Sequence, residues 1–152
     1  MKVAQTIRAD DPERLGNCVS ACVATFLDIP LAQVPHFLEQ GEFVHKEALG
    51  RQGLDPEIPD VSCWWAWWCG FMAGHRLGPV RLENVTDAEP GEIVFVSGPT
   101  NRTALHHQVL YRDGELWHDP HPSRVGVLEI TEVLAWRPIA GYDHAPTPSD
   151  PP

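Results

Sequence analysis

The stretch "VLYRDGELW", residues 109–117, is the strongest constraint on how this chain folds. Two short runs rich in aliphatic and aromatic residues flank an Asp-Gly pair, the signature of an antiparallel hairpin. Two turns are compatible with it. A two-residue Asp113-Gly114 loop pairs Gln108 with Asp119 and leaves His107 opposite Pro120. A three-residue loop, Arg112-Asp113-Gly114 with the glycine left-handed, pairs Val109 with Trp117, Gln108 with His118 and His107 with Asp119. Directly opposed residues share a face with Cβ atoms about 5 Å apart. The three-residue register therefore sets an imidazole beside a carboxylate, and it is preferred because it gives His107 and Asp119 a mutual use.

The hairpin lies in a half of the chain that reads as strands: "EIVFVSG", "HHQVLY", "ELWHD" and "RVGVLEI", with a further one over Val80 to Val85. The preceding half reads as helices. Val19, Cys22, Val23, Phe26 and Leu27 recur at i, i+3, i+4, i+7 and i+8, the stripe of a core-facing helix. Asn17 is placed to cap that helix and Pro30 to end it. "PLAQVPHFLEQ" predicts a short second turn with Pro30 near its start. Gly50, Gly53, Pro56 and Pro59 predict a loop over residues 41 to 60. "SCWWAWWCGFMAGHRLG" predicts a third helix ending near Gly74 or Gly78, with Trp64, Trp68, Phe71 and Met72 on one broad core face. Helices first and antiparallel strands after make an α+β fold, N-terminal helices packed on an antiparallel β-sheet. A length of 152 residues suits one domain that needs neither disulfides nor a structural metal. That domain is expected over residues 1 to 143, with the proline-rich "HAPTPSDPP", 144 to 152, as a disordered tail.

The charge balance, 11 − 21 = −10 with histidines neutral, offers no phosphate-tracking surface, so nucleic acid is not an expected partner. The start, "MKVAQTIRADDPERLG", has no apolar run of signal-peptide length, no stretch approaches the span of a membrane helix, and no membrane partner is expected. The four cysteines, Cys18, Cys22, Cys63 and Cys69, lack paired CxxC spacing, and reduced thiols fit a cytoplasmic location.

Two of those cysteines sit on the first helix and do different work. Cys22 falls on the apolar stripe and reads as core, a small hydrophobe. Cys18 opens the helix, where the terminal N–H groups and their partial positive charge favour a thiolate, and Ser20, Ala21 and Ala24 leave room for something to approach it. A nucleophile needs a base, and the hairpin offers His107 with Asp119 to orient it. Against this stand plainer readings, a buried incidental thiol and a solvated hairpin with incidental histidines. A metal site built from His118, Asp119 and His121 with His106 or His107 is a further alternative, although no HExxH or CxxC pair accompanies it. No cofactor is called for.

A cysteine opening a helix, followed far downstream by His-x-Val on a strand and Asp-Pro on the next, resembles the papain-like cysteine peptidases. Within them it is most similar to the bacteriocin-leader-processing (double-glycine) type. The matching residues are Gln5, Cys18, His107 in "HQVLY" and Asp119 in "HDP". "NCVSACVATFLDIPLAQVPHF" and "DGELWHDPHPS" also resemble a group of small bacterial and phage-borne proteins. The resemblance implies a papain-like fold and a cysteine hydrolase, a peptidase or amidase. Cys18 would be the nucleophile, His107 the base, Asp119 its orienting partner, and Gln5 an oxyanion donor beside the Cys18 N–H. Its substrate would be a peptide, a protein or a small amide or acyl compound. An acyltransferase with the same triad, or a catalytically silent peptide-binding module of the same fold, would share these residues. The chain departs from the leader-processing pattern in two places: Gln5 precedes Cys18 by 13 residues, and Asn17-Cys18-Val19 replaces Asp-Cys-Gly.

Overall fold

The structure, a computed structural model, describes residues 1–6, 16–55, 63–102 and 106–140. Three helices, α1 (Cys18–Leu27), α2 (Phe37–Arg51) and α3 (Cys63–Gly74), precede five strands. These are β1 (Leu77–Leu82), β2 (Ile93–Gly98), β3 (His107–Arg112), β4 (Glu115–His118) and β5 (Glu132–Pro138), with short 3₁₀ turns at Leu31–Gln33 and Val85–Asp87. The strands form one sheet in the order β1-β5-β2-β3-β4, antiparallel throughout. The fold is α+β, as the pattern of helices then strands implies. Residues 144–152, expected to be a disordered tail, lie outside the described residues.

Alternation along the central strands separates two cores. Phe95, Leu110, Leu134 and Trp136 point to the helices and meet Cys22, Val23, Phe37, Trp68 and Met72. Val94, Val96, Val109, Val133 and Ala135 point the other way and form a second, smaller cluster. Helix α1 goes further than its stripe: every residue from Cys18 to Thr25 is buried, while Phe26 and Leu27 are only partly so. Small residues on its remaining faces let it sink in. Trp68 is the joint between α3 and the sheet, its ring 5.4 Å from Phe95 and 5.1 Å from Trp136.

Several sequence expectations are corrected. Residues 41–51 are helix rather than loop. Gly41 and Gly50 do not break α2, which is stapled on its exposed side by Glu42–Lys46 and Glu47–Arg51 pairs one turn apart. Gly41 is there for clearance, since a Cβ at this position would stand 2.5 Å from the Trp64 backbone nitrogen. The helix terminates before Gly53, at φ +69, and residues 56–60 lie outside the described residues. The strand expected at 124–130 is irregular backbone with Arg124 and Gly126 at positive φ. The real strand, β5, comes just after it and is buried on both faces, so it lacks the simple alternation that marks a half-exposed strand. Strand β1 begins three residues before the expected Val80, and as an edge strand it tolerates Pro79.

The hairpin uses the tighter of its two turns. Asp113 and Gly114 have φ of 50° and 79°, both left-handed, and Arg112 pairs with Glu115. Positive φ at both central residues matches the strands' own twist, which is why Asp-Gly selects this turn. Tyr111 then faces Leu116, but Leu110 faces His118, so Trp117 is an extra residue bulged out of β4. The preferred three-residue register is thus overturned.

The two helix glycines make a paired prediction. Gly41→Ala forces α2 away from the α3 backbone and lowers unfolding free energy by about 2–3 kcal/mol. Gly50→Ala meets nothing within 4 Å and raises it by about 0.5 kcal/mol. Urea denaturation of both variants checks the contrast, and equal effects would contradict the close approach at Gly41.

Candidate active site

Cys18 is the first residue of α1, and the segment before it is held by an unexpected clasp. Asn17 occupies the cap position but makes no capping hydrogen bond with its side chain. Its φ and ψ, −104° and 33°, are not the extended values from which a cap reaches back over the first turn. Instead its Oδ1 accepts from the Thr6 N–H at 3.0 Å and its Nδ2 donates to Thr6 Oγ1 at 2.9 Å. The clasp draws residues 5 and 6 to the helix start despite their separation in sequence. Gln5, itself buried, donates its N–H to the Pro120 carbonyl at 3.0 Å. One neighbour of Gln5 is thereby tied to the cysteine helix, and Gln5 itself to the segment that carries Asp119.

His107 opens β3 and Asp119 follows the last residue of β4. His107 Nε2 lies 2.6 Å from Asp119 Oδ1, and both side chains are buried. The two residues do come together, by the tight turn plus the bulge rather than by direct pairing. The Asp119 carboxylate is held on every side. Oδ1 also accepts the His121 N–H at 2.8 Å, and Oδ2 accepts the Gly126 N–H at 2.8 Å. Burial pushes its pKa up, but the hydrogen bonds from His107, His121 and Gly126 prevail and hold it below the usual value. For His107 burial acts downward, while its hydrogen bonds to Asp119 and to Cys18, with the attraction of both groups, leave it raised to about 9. Since Asp119 takes Nε2, Nδ1 is the ring nitrogen left for other partners.

The second cysteine of the helix is chemically quiet. Cys22 Sγ donates to the Gln108 carbonyl at 3.4 Å, joining α1 to β3 next to His107. Burial, then the nearness of Cys18 and Asp119, push its thiol pKa well above the ordinary value. It stays a protonated core group at neutral pH.

The three other histidines between residues 106 and 121 are engaged elsewhere. His118 Nε2 donates to the Val3 carbonyl at 2.8 Å, and His121 Nδ1 accepts the Ser123 N–H at 3.1 Å. His106 is exposed, 3.4 Å from Thr131 Oγ1. Among the described residues no three His, Cys, Asp or Glu side chains are grouped so that they could hold a metal ion. The metal reading of His106, His107, His118, Asp119 and His121 therefore finds no geometric support. Sequence reasoning did not find the His121 and Gly126 N–H donors. The visible signal was the Asp-Pro-His-Pro run with a glycine seven residues after the aspartate, which lets a carboxylate gather the backbone of its own loop.

The raised pKa of His107 is linked to stability. Below the unfolded-state value of about 6.5 the ring is charged in both states and its ion pair with Asp119 contributes fully. As pH rises through about 9 that contribution is lost. The melting temperature is expected to fall between pH 6.5 and 9.5, and calorimetry should find this slope reduced in Asp119→Asn. The same slope in the variant would show that the pair is not its source. Comparison with models of protein families, with curated proteins and with solved structures finds no match to this chain.

Proposed function

We propose that this protein is a cysteine-dependent hydrolase of papain-like architecture, cleaving amide bonds in a peptide, protein or small amide through an acyl-enzyme. The observation that carries the reading is the buried His107–Asp119 pair, 2.6 Å apart, with the thiol that opens α1 near enough to help raise the pKa of the His107 ring. Isolated histidines and cysteines are common. A thiol, an imidazole and an anchored carboxylate in series, brought from three separate elements, form the relay that nucleophilic acyl transfer requires.

In this mechanism His107 Nδ1 takes the Cys18 proton, and the sulfur attacks the carbonyl carbon of the substrate. Asp119 stabilises the imidazolium through Nε2 and keeps the ring from turning. Negative charge on the tetrahedral oxygen is met by the Cys18 backbone N–H, at a helix start where Asn17 makes no side-chain cap, and by the Gln5 side-chain amide. His107 then passes its proton to the departing amine, leaving a thioester on Cys18. A water that gives a proton to His107 attacks the thioester, releasing the acid and restoring the thiol. Every described cysteine is free, which suits this chemistry in a reducing compartment such as the cytoplasm. Among the described residues no single helix is long and apolar enough to cross a membrane.

Iodoacetamide at neutral pH is expected to alkylate Cys18 first, well ahead of Cys63 and Cys69, as read by peptide mass mapping. His107→Ala or Asp119→Asn should slow that labelling at least about tenfold. Hydrolysis of a mixture of blocked peptide amides should fall by about 10²-fold or more in Cys18→Ala. Labelling of Cys63 and Cys69 ahead of Cys18, unchanged in the variants, would sink the proposal. Adding a competing amine to the reaction distinguishes release to water from acyl transfer.

A further inference from the structure

The segment that carries Asp119 has a second face. Residues 116–122 and Arg124 form one wall of a cavity of about 510 Å³, and Lys2 and Ala4 form the other. Its charge is out of character with the chain. The protein carries a net −10, yet Lys2 and Arg124 both line this cavity, together with His118 and His121. Asp119 is its only acidic lining residue, and both carboxylate oxygens are already taken by N–H donors. Among the described residues no carboxylate forms an ion pair with Lys2 or Arg124.

One of the cations is held in place. Lys2 Nζ donates to the Trp117 carbonyl at 2.8 Å and lies 4.7 Å from the centre of the Trp117 ring, which fixes the ammonium and leaves two of its three N–H groups for something else. His118 is oriented by its 2.8 Å bond to the Val3 carbonyl, so that bond holds the Nε2 proton and Nδ1 is the ring's second site. Burial keeps the His118 pKa below its ordinary value, and the charges of Lys2 and Arg124 add to this, against the pull of the Val3 carbonyl and Asp119. A lysine fixed on an indole, an arginine and a histidine that burial disposes to stay neutral therefore share one concave space.

We infer that this cavity binds a small oxyanion, a carboxylate or a phosphate, between Lys2 and Arg124, with His118 as a third donor and Trp117 as the apolar wall. A carboxylate or phosphate oxygen matches the ammonium and guanidinium donors. Its negative charge offsets the two cations acting on His118 and lets that ring take up a proton, so anion and proton enter together. The groups facing His118 in this exchange are Lys2, Asp119 and Arg124. The site stands apart from the Cys18 thiol and does not depend on the hydrolase reading.

The test uses the intact protein with inorganic phosphate and with N-acetylglycine as separate probes, against chloride at matched ionic strength. The His118 ring resonance is followed by NMR. Saturable shifts are expected, with the His118 titration midpoint raised by about half a pH unit or more. Lys2→Gln and Arg124→Gln should each weaken binding at least about tenfold, and Cys18→Ala should leave it unchanged. Saturation by phosphate alone or by N-acetylglycine alone would support the site and name its ligand class. The same response to chloride, undiminished binding in both charge variants whose amide spectra show them folded, or loss of binding in Cys18→Ala would overturn it.

Discussion

A buried carboxylate must be compensated, and the solution found here organises the whole end of the molecule. Asp119 collects an imidazole from β3 and two N–H groups from the loop that follows it. Remove the charge and three donors lose their acceptor together. The loop from Pro120 to Gly126 contains no regular structure and two of its residues sit at positive φ, so its path rests on single hydrogen bonds such as these. One group thus sets the path of the chain, the orientation of a ring and the electrostatics of a thiol's neighbour.

Around that carboxylate the fold works by convergence of distant segments. Helix α1 is sunk almost entirely into the core, so its first residue is presented at a fixed depth rather than on a mobile surface. The Cys22 thiol ties the same helix to the backbone of β3 one residue beyond His107. The N-terminal residues bind Asn17 on one side and Pro120 on the other. Each contact is an ordinary hydrogen bond of modest worth, about 1 kcal/mol. Their joint effect is geometric, because all of them bear on the same few ångströms.

Much of this was legible in the sequence, and the failures are physically instructive. The buried stripe of α1, the aromatic core face of α3 and the hairpin at Asp113-Gly114 follow from periodicity and turn chemistry. The nearness of His107 and Asp119 was also inferred, but from a register that does not occur. The extra residue in β4 compensated for the tighter turn, and bulges leave no clear mark in a single sequence. Gly50 and Gly53 misled over α2, since a helix tolerates a glycine in its last turn and ends just before the next one. Strand β5 was missed because a strand buried on both faces shows no period of two. The Asn17 clasp could not be seen at all, since it depends on where a remote threonine comes to rest.

The bulge at Trp117 has a consequence for how β4 can vary. Side chains of a strand alternate strictly, so a single added or missing residue between the turn and Asp119 exchanges inside for outside for everything beyond it. Replacing one residue there by another is a graded change, softened by its neighbours. Changing the count by one is not graded, for it turns the carboxylate out of the interior and leaves the imidazole without its acid partner. In this short edge strand, arithmetic is conserved by geometry more strictly than chemistry.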